Sequence, residues 1–248
     1  GFFTRAIQCV LPDFFAFLTS SSSENSAPQK SAKELTPTRQ AALAIKPPKL
    51  KLPANGPLNA QNGMRIQMVV RLLQKYADFA RRAKGDVDHA VAAYRKAVEL
   101  QPENADSLAK LAHFLSEEGD KKSSGEASDL FARAMRASPN NAQYALWYAR
   151  LLKNSGHKGK AELMYQVACT HSKGNPQLEP SALCNYATFI LRQRKNPIAA
   201  QEMFRDGLDR FPTHKGLVKN YRTMLKSNPE LAAPGEKEKI TTPMKMAR

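Results

Sequence analysis

Tyr76-Ala77-Asp78-Phe79, Leu111-Ala112-His113-Phe114, Trp147-Tyr148-Ala149-Arg150-Leu151 and Tyr186-Ala187-Thr188-Phe189 are four copies of one short pattern. Their alanines (77, 112, 149, 187) step along the chain by 35, 37 and 38 residues. Downstream in each copy a second alanine is followed four residues later by a ring: Ala90 with Tyr94, Ala127 with Phe131, Ala161 with Tyr165, and Ala200 with Phe204. A small residue comes three positions after each ring (Ala97, Ala134, Ala168, Gly207), and Pro102, Pro139, Pro176 and Pro212 close the units. A fifth copy starts at Tyr221-Arg222-Thr223. Self-similarity at such a period is the signature of helical hairpins stacked into a solenoid.

Packing explains the choice of residues. Two antiparallel helices approach closely where one presents Ala or Gly and the other a ring that fills the gap. An alanine and an aromatic four apart lie on the same helix face, so each second helix carries that complementary surface. Proline after the second helix cannot continue it and forces a turn. A lone hairpin cannot bury its own apolar face, so at least three must stack.

At these residues the chain resembles the tetratricopeptide repeat family over about residues 67–226, with the half-repeats of RNA-processing proteins as a near alternative, for which Trp147-Tyr148 is the best hint. The resemblance implies an all-α fold: a right-handed superhelix of about four hairpins plus a capping helix, with no catalytic role. Two features depart from the family. Its first-helix aromatic is replaced by Ala80, Leu115 and Leu152, and the turn within a hairpin is a residue or more longer. In the family the first helices line a concave groove. The groove residues implied here are Arg71, Asp78, Arg81 and Arg82, then His113, then Arg150 and Lys153, then Arg192, and finally Lys219 and Lys226. Members that clasp a chaperone C-terminus use a lysine and asparagines, where this chain has Gln74 and Asp78; that clamp is not expected.

Helices are expected in pairs over 67–83 and 87–100, 105–118 and 124–137, 142–155 and 158–171, and 179–194 and 197–210, with a last one over 215–227. Asn196-Pro197 is a start signal, a capping side chain followed by a residue preset for the first turn. Arg222 stands where the earlier copies have alanine, which suits a terminal cap with no further repeat to pack on.

The rest of the chain divides into a Phe-rich segment 1–20, a basic Pro/Ser/Lys-rich arm 21–66 and a polar tail 228–248. Phe2, Phe3, Phe14, Phe15 and Phe17 crowd the first segment, but Arg5, Pro12 and Asp13 break it. Its uncharged run falls far short of the roughly 20 residues of a membrane-spanning helix. A targeting remnant, a peripheral membrane contact and an anchor in a partner's groove compete for it, and the density of rings favours the anchor. The arm carries Lys30, Lys33, Arg39, Lys46, Lys49 and Lys51 among prolines and serines, a composition that cannot fold alone. A short helix near 37–45 fits Thr36-Pro37.

Lys plus Arg number 38 against 22 acidic residues, a net charge of +16. The excess is spread over arm and array, and it favours polyanions: RNA, anionic lipid or acidic protein. The same bias also serves plain solubility. Cys9, Cys169 and Cys184 form no CxxC pair and point to buried thiols in a reducing compartment.

No catalytic, cofactor or metal site is expected. Gly156-His157-Lys158-Gly159-Lys160 lacks the spacing, the Ser/Thr and the preceding strand of a phosphate loop, and reads as a helix–helix turn. The five histidines never pair at metal-ligand spacing. Asp86 with Asp88, and Glu117, Glu118 with Asp120, read as helix-end charges. What remains is binding. The expected role is a structural subunit of a large organellar assembly, a mitochondrial ribosome or other ribonucleoprotein, contacting protein subunits and rRNA phosphate without a small-molecule substrate. A scaffold in a respiratory or photosynthetic membrane complex and an adaptor for acidic peptides are the alternatives. High pI, the absent initiator methionine and the arm place it in the mitochondrion, with the plastid as the other choice.

Overall fold

The computed structural model describes residues 60–84, 86–118 and 123–232, and every regular element among them is a helix. They are α1 (Ala60–Phe79), α2 (Val87–Leu100), α3 (Ala105–Glu118), α4 (Ser123–Ala137), α5 (Ala142–Asn154), α6 (Lys158–Ser172), α7 (Glu179–Phe189), α8 (Pro197–Arg210) and α9 (Lys215–Ser227). π-helical turns at Ala80–Lys84 and Ile190–Arg194 extend α1 and α7, and a 3-10 turn at Pro229–Leu231 follows α9. The chain divides after Pro139 into two compact units.

In the first unit α1 pairs with α2 and α3 with α4, and α2 packs on α3. The second unit pairs α5 with α6 and α7 with α8, and α9 closes on both α8 and α7. The small residues sit where the pattern requires. Ala77, Ala112, Ala149 and Ala187 on the first helices are fully buried, as are Ala90, Ala127, Ala161 and Ala200 on the second. At Gly207 a Cβ would lie 3.2 Å from both methyls of Leu217, so α9 approaches α8 closely over this residue and a side chain there would have to displace Leu217 slightly. The family's first-helix aromatic is absent, yet the positions stay in the core as Ala80, Leu115, Leu152 and Ile190.

Rings join one hairpin to the next inside each unit. Tyr94 of α2 meets Phe114 of α3 with centroids 5.9 Å apart. Tyr165 of α6 packs on Phe189 at 5.2 Å and on Tyr186 at 5.9 Å, both from α7. Phe204 of α8 repeats the contact with Tyr221 of α9 at 6.0 Å. These separations suit tilted and offset ring pairs, which add about 0.5–1.5 kcal/mol each beyond area burial.

Pro102 and Pro212 fall in turns that share one construction. Gln101-Pro102-Glu103-Asn104 and Phe211-Pro212-Thr213-His214 each close with the fourth residue's N–H donating to the first carbonyl, at 3.1 Å in both. The fourth side chain then accepts from the next helix: Asn104 from the Ser107 N–H at 3.0 Å, and His214 Nδ1 from the Leu217 N–H at 3.2 Å. Asn141 caps α5 in the same way, accepting from Gln143 and Tyr144. The proline presets the turn and the polar side chain satisfies an otherwise unpaired donor of the next helix.

Turns within hairpins differ in length, and the backbone absorbs the difference locally. Twelve positions separate Ala149 from Ala161. There α5 ends in a Schellman motif, with Gly156 at φ +82°, its N–H on Lys153 O at 3.2 Å and the His157 N–H on Leu152 O at 2.9 Å. Thirteen positions separate Ala77 from Ala90, and Ala187 from Ala200. Those two hairpins carry the π-helical turns: one added residue widens the last turn instead of shifting the second helix out of register. The second π turn ends at Lys195, held left-handed at φ 53°. Fifteen positions separate Ala112 from Ala127, and residues 119–122 of that turn lie outside the described ones.

The first helix begins at Ala60, ahead of the expected Gln67. Gly63 lies within the added turns, and one glycine costs a helix only about 1 kcal/mol and does not stop it. Burial does begin late: Val70 is the first core residue of α1. The Phe-rich segment 1–20, the arm lysines and Arg39, the helix expected near 37–45, Cys9 and residues 233–248 of the tail lie outside the described residues.

Candidate functional site

In the first unit the expected groove residues are bound up with acids. Arg81 reaches Glu117 at 3.3 Å, and His113 lies 3.6 Å from the other oxygen of the same carboxylate. Asp78 accepts from the Tyr94 hydroxyl at 2.6 Å and has Lys110 at 3.8 Å, which also pairs with Asp106 at 3.1 Å. Burial and the Asp78 carboxylate push the Tyr94 phenol well above its ordinary range, so it stays a proton donor. Gln74 is buried and donates to Ser107 at 2.8 Å, which leaves neither Gln74 nor Asp78 to clasp a carboxylate. Arg71 and Arg82 stand exposed. This face mixes both signs of charge.

The second unit is different. Arg150 is exposed and Lys153 half-buried on α5, and exposed Arg192 comes from the π turn of α7. Burial pulls the Lys153 ammonium below the usual lysine range, and the guanidiniums of Arg150 and Arg192 add to the effect. Lys153 thus lies within electrostatic reach of two other expected groove residues, one on its own helix and one on the turn that extends α7. Two acids of this unit are engaged elsewhere. Glu162 holds Arg194, and the buried Glu179 holds Arg210 while also accepting from the Gly174 N–H at 2.8 Å.

Lys219 and Lys226, the last two expected positions, lie on α9. There they share a depression of about 300 Å³ with Lys215 and Arg222. Lys215 was missed by the repeat frame because it precedes the first aligned position. The visible signal was a helix, KGLVKNYRTMLKS, with four cations and no acid.

Asp86 caps α2, accepting from the His89 N–H at 3.3 Å and facing His89 Nδ1 at 2.6 Å. Gly156 and His157 form the turn before α6. Cys169 and Cys184 are free, and burial pushes the Cys169 thiol up to about 12 and raises that of Cys184. Among the described residues no three His, Cys, Asp or Glu side chains converge as a metal site, and no helix is long and apolar enough to cross a membrane.

A family profile described as TPR repeat matches residues 80–119. The matched residues, which span α2 and α3, are similar to a tetratricopeptide repeat, and the hairpins around them are of the same fold class. Solved structures agree on the fold. The chain is similar to Pseudomonas aeruginosa PilF, at 21% identity and TM-score 0.57, over 67% of this chain and 72% of that one. It is similar to MamA from Desulfovibrio magneticus RS-1 at 12% identity and TM-score 0.55, over 69% and 92%. It is also similar to YrrB, described as a TPR protein with an unusual peptide-binding site, at 16% identity and TM-score 0.52, over 73% and 89%. No curated protein matches the sequence.

Proposed function

We propose that this chain is a non-catalytic scaffold subunit of a large organellar ribonucleoprotein, a mitochondrial ribosome in the first instance and a plastid particle in the second. The observation that carries the reading is the convergence of Arg150, Lys153 and Arg192, which crowd one another at a cost to Lys153. Like charges held together on a surface favour a polyanion that relieves the repulsion on docking. The stacking aromatics are engaged in hairpin contacts, so phosphate contact without base readout is the chemistry on offer. The basic arm, with Lys30 to Lys51, extends the same charge along the particle.

Sedimentation of the full-length protein with ribonucleoprotein particles from the organelle tests this. Co-migration that is lost on RNase treatment or raised salt supports the reading. Release only by detergent, together with hydrophobic subunits, contradicts it and favours a membrane complex. An adaptor for acidic peptides is the second reading, favoured by the fold shared with the peptide-binding YrrB. Binding of acidic peptides with no affinity for RNA would establish it instead.

A further inference from the structure

The outer face of α9 has a composition found on no other helix of the array. Lys215, Lys219, Arg222 and Lys226 recur at steps of four, three and four, which places them on one side of the helix. The opposite side buries Leu217, Tyr221, Met224 and Leu225 against the rest of the unit. Lys215, Lys219 and Lys226 are exposed and Arg222 is partly so. Elsewhere in this unit Arg194 and Arg210 are paired with carboxylates. Among the described residues none of the four α9 cations has a carboxylate at ion-pair distance. Four unneutralised cations in one depression, over about 16 Å of helix, repel one another.

We propose that this face binds the phosphate backbone of structured RNA; the inference rests on the ribonucleoprotein reading above and assigns it a site. Charge complementarity selects the occupant. Neither of the chain's own outlying segments is acidic: residues 1–59 carry Asp13, Glu24 and Glu34 against seven cations, and 233–248 carry Glu236 and Glu238 against four. A second copy, at net +16, is repelled. A protein partner requires an apolar centre to its interface, and a membrane surface requires side chains to insert; this face offers Val218 alone. A nucleic-acid duplex requires neither. It presents about one charge per 1.7 Å of axis, so several phosphates fall within reach of the four cations at once. Arg222, at the centre, adds the fork geometry that grips a phosphate with two N–H groups.

Fluorescence anisotropy of the full chain with a labelled RNA hairpin, across a salt series, tests the site. Two variants are compared with the wild type: Lys219→Gln/Arg222→Gln/Lys226→Gln on α9, and Arg150→Gln/Lys153→Gln/Arg192→Gln on the first-helix strip. The substituted α9 side chains lie outside its buried face, and circular dichroism confirms that helicity is kept. The α9 variant is expected to bind roughly 10-fold or more weakly, with a log K against log salt slope shallower by about 2–3. Lys219→Arg/Lys226→Arg keeps the charge and is expected to bind as the wild type does. RNA binding by the α9 variant at wild-type strength and slope overturns the site while leaving the function intact, and the strip variant then shows where RNA docks. No RNA binding by the wild type overturns both. Loss of binding to polyglutamate or phosphatidylserine vesicles in the α9 variant, with RNA binding unchanged, also overturns the site.

Discussion

Lys153 shows most clearly how a side chain here is held at a cost. Burial and two guanidiniums disfavour its charged form in the folded protein, while the unfolded chain exerts no such pressure. The penalty is therefore present at neutral pH and is relieved as pH rises through the lowered folded pKa. Lys153→Gln is expected to raise the melting temperature at neutral pH, by an amount that shrinks with added salt and with alkaline pH. Differential scanning calorimetry in low and high salt checks this. A melting temperature that falls instead would mean that Lys153 has an acidic partner. The cysteines make the complementary case. With Cys169 pushed up to about 12 and Cys184 raised, neither forms appreciable thiolate near pH 8. In a Cys9→Ser protein, both are expected to resist iodoacetamide in the native state and to react once unfolded, as mass spectrometry would record.

At the scale of a helix, the decisive contacts are small residues against neighbouring backbone and rings against rings. Ala112→Leu or Ala149→Leu places a bulky side chain where no surface is exposed, and is expected to cost about 1–3 kcal/mol in a denaturant melt. Phe204→Ala removes a fully buried ring that holds Tyr221 of α9, with an expected cost of about 3–5 kcal/mol. Amide exchange should then speed up in α9 before the rest of its unit. Helices, turns and core were legible in the sequence because alanine, ring and proline recur at fixed offsets, and each offset has one packing consequence. The start of α1 was not, since its first turns bury little and leave no apolar period to read. The π turns were legible only in part: the spacing from Ala77 to Ala90 reveals an added residue but not how the backbone absorbs it. Nor could the first-helix face be resolved by position alone. Arg81 and His113 share a carboxylate, Glu117, whose role depends on the packing of α1 beside α3. Arg150 and Arg192 act instead on Lys153, whose ammonium they help to pull below the usual lysine range, an effect that depends on how α5 and α7 pack.

In the whole molecule, the residues that fold the chain differ from those proposed to dock it. Folding uses the alanines, rings and capped turns within each hairpin; the proposed docking would use cations on the helix surfaces. In the first unit Arg81 and Lys110 are paired with carboxylates while Arg71 and Arg82 stand exposed; in the second, cations gather on α5 and along α9. The most direct test is the double charge reversal Arg150→Glu/Lys153→Glu, followed by circular dichroism, thermal melting and RNA binding on the same preparation. The account predicts unchanged helicity, a melting temperature at or above the wild type's, and markedly weakened binding. Loss of helicity, or RNA binding undiminished at every salt concentration, would contradict it.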